Sequence, residues 1–73
     1  MTFQEAMGNV FDGKKIRRKN WTSGVYITCN TCGISGMIYP IMVVENASGE
    51  RMIVHVYELT RMDFFSTNWE VLL

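Results

Sequence analysis

The sequence predicts an α+β fold: a short N-terminal helix packed on a mainly antiparallel, twisted sheet of about five strands, with a second short helix near the C-terminus. Three observations predict it. Phe3, Ala6, Met7, Val10 and Phe11 recur at helical spacing directly behind a Thr-x-x-Glu start. Four later stretches are rich in β-branched and aromatic residues and are separated by Gly-, Asn- or Ser-containing turns. Thr60-Arg-Met-Asp63 repeats the helix-start signature just before the last of these stretches.

The first helix starts at Thr2, whose hydroxyl is placed to cap the amide of Glu5, and it stops at Gly13, suited to a left-handed turn. Two and a half turns do not hold in water alone, so its apolar face must pack on the sheet. Lys15 to Lys19 reads as a strand although Ile16 is its only apolar residue, and Asn20 to Gly24 is a turn that carries Trp21. Val25 to Cys29 alternates as a strand, and Asn30 to Gly36 is a loop. Met37 to Val44 and Arg51 to Tyr57 flank a Gly-containing loop at 45–50, which is the pattern of a hairpin. A short helix is expected from Arg61 to Ser66, and Trp69 to Leu73 closes the chain as a strand.

Seventy-three residues make a single domain, 1–73. A chain of this size buries only about 60% of its unfolded surface, and small domains offset that with disulfides, a metal or oligomerisation. Two cysteines do not make a disulfide framework. Met37 to Val44 is apolar at odd and even positions alike, so both of its faces call for cover. A homo-oligomer, dimer or tetramer, answers both points. Neither a basic signal-peptide start nor an apolar run of membrane length occurs, so the expected location is the cytoplasm.

Seven basic residues balance seven acidic ones, which excludes a long nucleic acid as partner, because such binding needs a basic excess. The distribution is uneven, however. Five of the seven basic residues fall in Gly13-Lys-Lys-Ile-Arg-Arg-Lys-Asn-Trp21. A cluster of that kind beside a tryptophan suits a small, flat anion. The plain alternative is a solvated edge strand that uses its charge to resist edge-to-edge pairing, with Trp21 folded back as a lid on the core.

No catalytic constellation stands out. His55 has no nucleophile near it in sequence, the serines lack a nucleophile-elbow setting, and no carboxylate pair converges. Cys29-Asn-Thr-Cys32 has the spacing of a metal or redox pair, but only His55 is available as a third soft ligand, and a thioredoxin-like context is missing. The reading is therefore a binding protein without catalysis, metal or cofactor. The alternative reading of this pair is a metal shared by Cys29 and Cys32 between subunits.

Phe3-x-x-Ala6, the run from Gly13-Lys-Lys-Ile through Arg18 to Trp21, and Asp63-Phe-Phe-x-x-Asn-Trp69-Glu-Val resemble a small phage and bacterial family that includes the Thoeris anti-defence protein 2. Its typical wording is F-x-x-A-L, then G-K-K-V-x-R-x-x-W, then D-L-L-A-x-D-W-E-V. Here Asn68 stands where the family has Asp and Ser66 where it has Ala. The middle carries NTCGISG in place of a longer, Pro-containing segment. The resemblance implies a phage protein that sequesters a cyclic nucleotide immune signal, a cyclic ADP-ribose isomer or a cyclic oligonucleotide, without cleaving it. It also implies a homo-oligomer with pockets between subunits. The residues expected to bind ligand are Arg18, Asn20, Trp21, Asn68 and Trp69: Arg18 and its basic neighbours on phosphate, Trp21 stacked on a base, and Asn20 or Asn68 on polar edges. The competing expectation is a protein-interaction module that blocks a host protein through an apolar surface.

Overall fold

A computed structural model describes residues 1–31, 34, 36–54, 56 and 59–72. The elements run α1 (Phe3–Phe11), β1 (Lys15–Arg18), β2 (Val25–Thr31), β3 (Ile38–Glu45), β4 (Arg51–Val54), α2 (Arg61–Phe65) and β5 (Trp69–Leu72). The five strands form one antiparallel sheet in the order β4-β3-β2-β1-β5. The expected α+β architecture is therefore present, with both helices.

The start of α1 follows from Thr2. Its hydroxyl accepts from the Glu5 amide at 3.2 Å, and the Glu5 carboxylate accepts from the Thr2 amide at 3.0 Å, so two otherwise orphaned donors are satisfied. The helix ends where expected, with Gly13 at φ +87° and its amide bonded to the Val10 carbonyl. Ala6 and Val10 are fully buried against the sheet, Phe3 and Met7 half-buried, while Phe11, at the far end of the same stripe, is exposed. Complete burial of Val10 contributes about 1.5 to 3 kcal/mol. That contribution holds a helix too short to stand alone.

Strand register sorts side chains onto the two faces. Ile16 lies opposite Ile27 on one side and Val71 on the other, and Ile27 lies opposite Met42. This row faces α1 and joins Ala6, Val10, Leu59 and Trp69 in the core. Lys15, Arg17, Tyr26, Val43 and Ile53 occupy the opposite face. β1 pairs with β2 on one side and β5 on the other, so the charged strand is interior and the edge-strand reading is overturned. Interior placement is tolerated because its charges find partners: Arg17 Nε bonds Glu70 Oε1 at 2.9 Å, and Lys15 Nζ sits 4.7 Å from the centre of the Tyr26 ring.

The hairpin of β3 and β4 is also as expected. The Asn46 side chain accepts from the amides of Ser48 and Glu50, closing the connecting turn. Strand β3 begins at Ile38 and not Met37, and β2 runs on to Thr31, both within the ordinary imprecision of strand ends. The expected extension of β4 to Tyr57 lies partly outside the described residues, as do Cys32 and His55.

Gly24 closes the β2–β3 end. Its φ is +97°, a Cβ would stand 2.3 Å from the Glu45 carbonyl oxygen, and its own carbonyl accepts from the Glu45 amide at 2.8 Å. Gly24→Ala is therefore expected to lower stability by about 1 to 3 kcal/mol, since it meets backbone that does not yield. A urea melt checks this, and a variant as stable as the parent would show that the turn relaxes freely.

Candidate functional site

The corner where β1 ends is built by pairing. Arg18 lies opposite Trp69 in the β1–β5 ladder, and the ladder continues past the strand through Lys19, whose amide donates to the Asn68 carbonyl at 2.9 Å. The turn at 19–21 then folds back, with the Trp21 amide donating to the Arg18 carbonyl at 3.0 Å. Residues fifty positions apart in sequence therefore share one corner. Arg18, Asn20, Trp21, Asn68 and Trp69 all lie in it.

Their side chains are connected. Arg18 Nε donates to Asn68 Oδ1 at 2.9 Å, and Asn68 Nδ2 donates to Asn20 Oδ1 at 3.3 Å. The Trp21 ring meets Trp69 edge to face, with centroids 5.1 Å apart. Asn20 is exposed, Trp21 and Asn68 are half-buried, and Trp69 is 1% exposed. The corner thus has a wet surface of Asn20, Asn68 and one side of Trp21, over a floor of Trp69. Trp21 is indeed packed on the core, as the lid reading expects. Being half-buried, it also keeps surface for a further contact.

The sequence reading overlooked the partner of Arg18. Arg18 Nη1 lies 2.7 Å from Asp63 Oδ1, with the two side chains only 14% and 12% exposed. The other Asp63 oxygen accepts from the Thr60 amide at 2.8 Å and the Thr60 hydroxyl at 2.9 Å. Burial alone would raise the Asp63 carboxyl. The bond from Arg18, followed by those from Thr60, outweighs it and holds the pKa below the usual carboxylate value. The Asp63 carbonyl accepts from the Trp69 indole N–H at 2.9 Å. One residue thus ties α2 to β1 and β5. The Thr-x-x-Asp signature revealed its capping role, but nothing local in the sequence indicates that its second oxygen faces an arginine 45 positions away.

This pairing changes the electrostatics expected of the basic run. Arg17 and Arg18 are each engaged by a carboxylate and Lys15 by a ring, while Lys14 and Lys19 are exposed. Beside the corner, an open groove of about 530 Å³ lies between the helices, lined by Thr2, Phe3, Gln4, Met7, Phe64 and Phe65. Phe3 bridges the groove to the corner, with its ring 5.0 Å from Phe64 and 5.1 Å from Trp69.

Among the described residues no group of three or more His, Cys, Asp or Glu gathers to hold a metal. Cys29 is a free, half-buried thiol against the core. No helix among the described residues is long and apolar enough to cross a membrane.

A five-stranded antiparallel sheet with two capped helices, and a Trp–Arg–Asn corner formed by its first and last strands, defines a small α+β domain. The chain belongs to the Thoeris anti-defence 2-like domain family, whose model matches residues 1–72. Comparisons with curated proteins and with solved structures give no match. Membership makes this an anti-defence domain.

Proposed function

We propose that this protein binds a small cyclic nucleotide signal, a cyclic ADP-ribose isomer or a cyclic oligonucleotide, and sequesters it without cleavage. It would do so as a homo-oligomer in the cytoplasm of the cell that carries it. The observation that supports this most is the convergence of Arg18, Asn20, Trp21, Asn68 and Trp69 on one corner of a family member. Trp21 would stack on a base, with Trp69 behind it as the ring that fixes its tilt. Asn20 and Asn68 offer amide groups to polar edges. Exposed Lys19 would meet phosphate, and Arg18, held by Asn68 and Asp63, would add its positive field from behind and fix Asn68 in place.

The arrangement favours binding over turnover in physical terms. The nearest carboxylate, Asp63, is committed to Arg18 and Thr60 and is held ionised, so it is poorly suited to donate a proton. A second reading, a module that blocks a host protein, draws on the exposed Phe65 and Met62 beside the helix groove.

Calorimetry with cyclic ADP-ribose isomers and cyclic di- and trinucleotides is the test. Binding of one of these is expected, and Trp21→Ala should weaken it about 10- to 100-fold, the worth of one base–aromatic stack. Asn20→Ala, at an exposed position, should weaken it without changing the melting temperature. If none of these ligands binds and a host protein is retained instead through Phe65, the interaction reading replaces this one.

A further inference from the structure

The two edges of the sheet are treated differently. Along β5, the Met1 nitrogen donates to the Trp69 carbonyl at 3.2 Å, and the Trp69 amide donates to the Met1 carbonyl at 3.2 Å, so the chain itself occupies that edge at its start. The other edge is β4, Arg51–Val54. It is short, four residues, and carries one charge, Arg51, but it has no proline, no lysine and no inward charge. Met52 and Ile53, which point to opposite faces, are each 62% exposed.

The molecule also presents more surface than its mass calls for. It exposes 5098 Å², whereas a folded monomer of 8.4 kDa typically exposes about 4,600 Å². Its radius of gyration is 12.1 Å, against about 11 Å for a compact chain of this length. The excess of about 500 Å² is a substantial share of the roughly 800 Å² that each partner contributes to a standard interface.

We infer that the free edge of β4 is the surface on which a second copy of this chain docks, the two β4 strands pairing antiparallel about a two-fold axis at Ile53. The occupant follows from self-complementarity. Cross-strand neighbours share a face, so a symmetric pairing centred on Ile53 sets Ile53 beside its own copy and Met52 beside Val54 of the second copy. Every direct pair among these residues is apolar. Arg51 is already paired with Glu45 at 3.3 Å, and the two copies of Arg51 fall about 14 Å apart, beyond the screening length of about 8 to 10 Å. The result is a ten-stranded sheet across two copies, with the β3–β4 apolar stripe continuous through the axis. This rests on the homo-oligomer part of the proposed function and names where it assembles.

The test uses the full chain and light scattering. The wild type is expected at two or more subunits, and Ile53→Lys should lower that mass by half or more, with an unchanged circular dichroism spectrum. In a chain with Cys29 and Cys32 replaced by Ser, Ile53→Cys should oxidise to a cross-linked dimer at least about 10-fold faster than Met52→Cys. Direct cross-strand pairs lie within disulfide reach, whereas the Met52 pair is offset by two residues. A wild-type mass near 8.4 kDa overturns the homo-oligomer reading and the edge together. An oligomer that survives Ile53→Lys, cross-links no faster at 53 than at 52, or dissociates instead in Phe65→Lys overturns the edge alone.

Discussion

Trp69→Ala should lower stability by about 3 to 5 kcal/mol, the range for emptying a buried tryptophan site. The ring is 1% exposed and is the largest fully buried side chain among the described residues. It meets Phe3 and Trp21, each with centroids 5.1 Å away, and its N–H bonds the Asp63 carbonyl at 2.9 Å. A folded chain of 73 residues has only about 4 to 11 kcal/mol in total. The variant should therefore sit near the edge of folding at 37 °C, where wild type is expected to stay folded. Urea unfolding followed by circular dichroism measures it. Trp69→Phe separates the two contributions: it keeps an aromatic ring but leaves the Asp63 carbonyl without its donor, a cost of about 1 to 3 kcal/mol. If Trp69→Ala unfolds at the wild-type urea midpoint, the ring is not the keystone that its burial implies.

The legible parts of this protein are those that local chemistry writes. Both capping boxes and the turn at Asn46 follow from side chains bonding amides two to four residues away, the stop at Gly13 from a glycine free to take positive φ, and all are present. Strand identity followed from β-branched runs, but strand order did not, because pairing partners are set by burial across the whole sheet. This is why the run at 15–19, with one apolar residue, resembled a solvated edge and is in fact interior. Its single apolar residue, Ile16, is completely buried, and its two arginines are paired with Glu70 and Asp63 from far along the chain.

The candidate site was legible as two blocks in sequence, and the β1–β5 ladder is what joins them. Their proximity has a plain cause: α2 and the turn after it return the chain to the side of β1 opposite β2. The role of Asp63 was half visible. A threonine three residues before an aspartate advertises a cap, and the cap uses one carboxylate oxygen. The other is free to receive a long-range partner, and no sequence spacing encodes which one.

That second oxygen sets the other large effect. Asp63→Ala should cost about 3 to 5 kcal/mol, because it strands the Arg18 guanidinium in a site only 14% exposed, and an unpaired buried charge is far costlier than a missing pair. It also removes the Asp63 half of the capping box, leaving the Thr60 amide without its acceptor. The pH dependence follows with a definite sign. The folded pKa of Asp63 is depressed by the Arg18 and Thr60 bonds that outweigh its burial. Its contribution to stability is fully present above the unfolded value of about 3.9 and is lost as the pH falls from there through the folded value. The wild-type melting temperature should thus hold from neutral pH to about pH 5 and then fall on further acidification. Asp63→Asn keeps a carbonyl for the Thr60 amide but carries no charge. It should be less stable than wild type at pH 7, and the gap should narrow as the pH falls below about 4. Thermal melts of both proteins from pH 7 to pH 2.5 decide it. Parallel curves across that range would mean that the Arg18–Asp63 pair contributes no net stability and that this corner is held by the aromatic contacts alone.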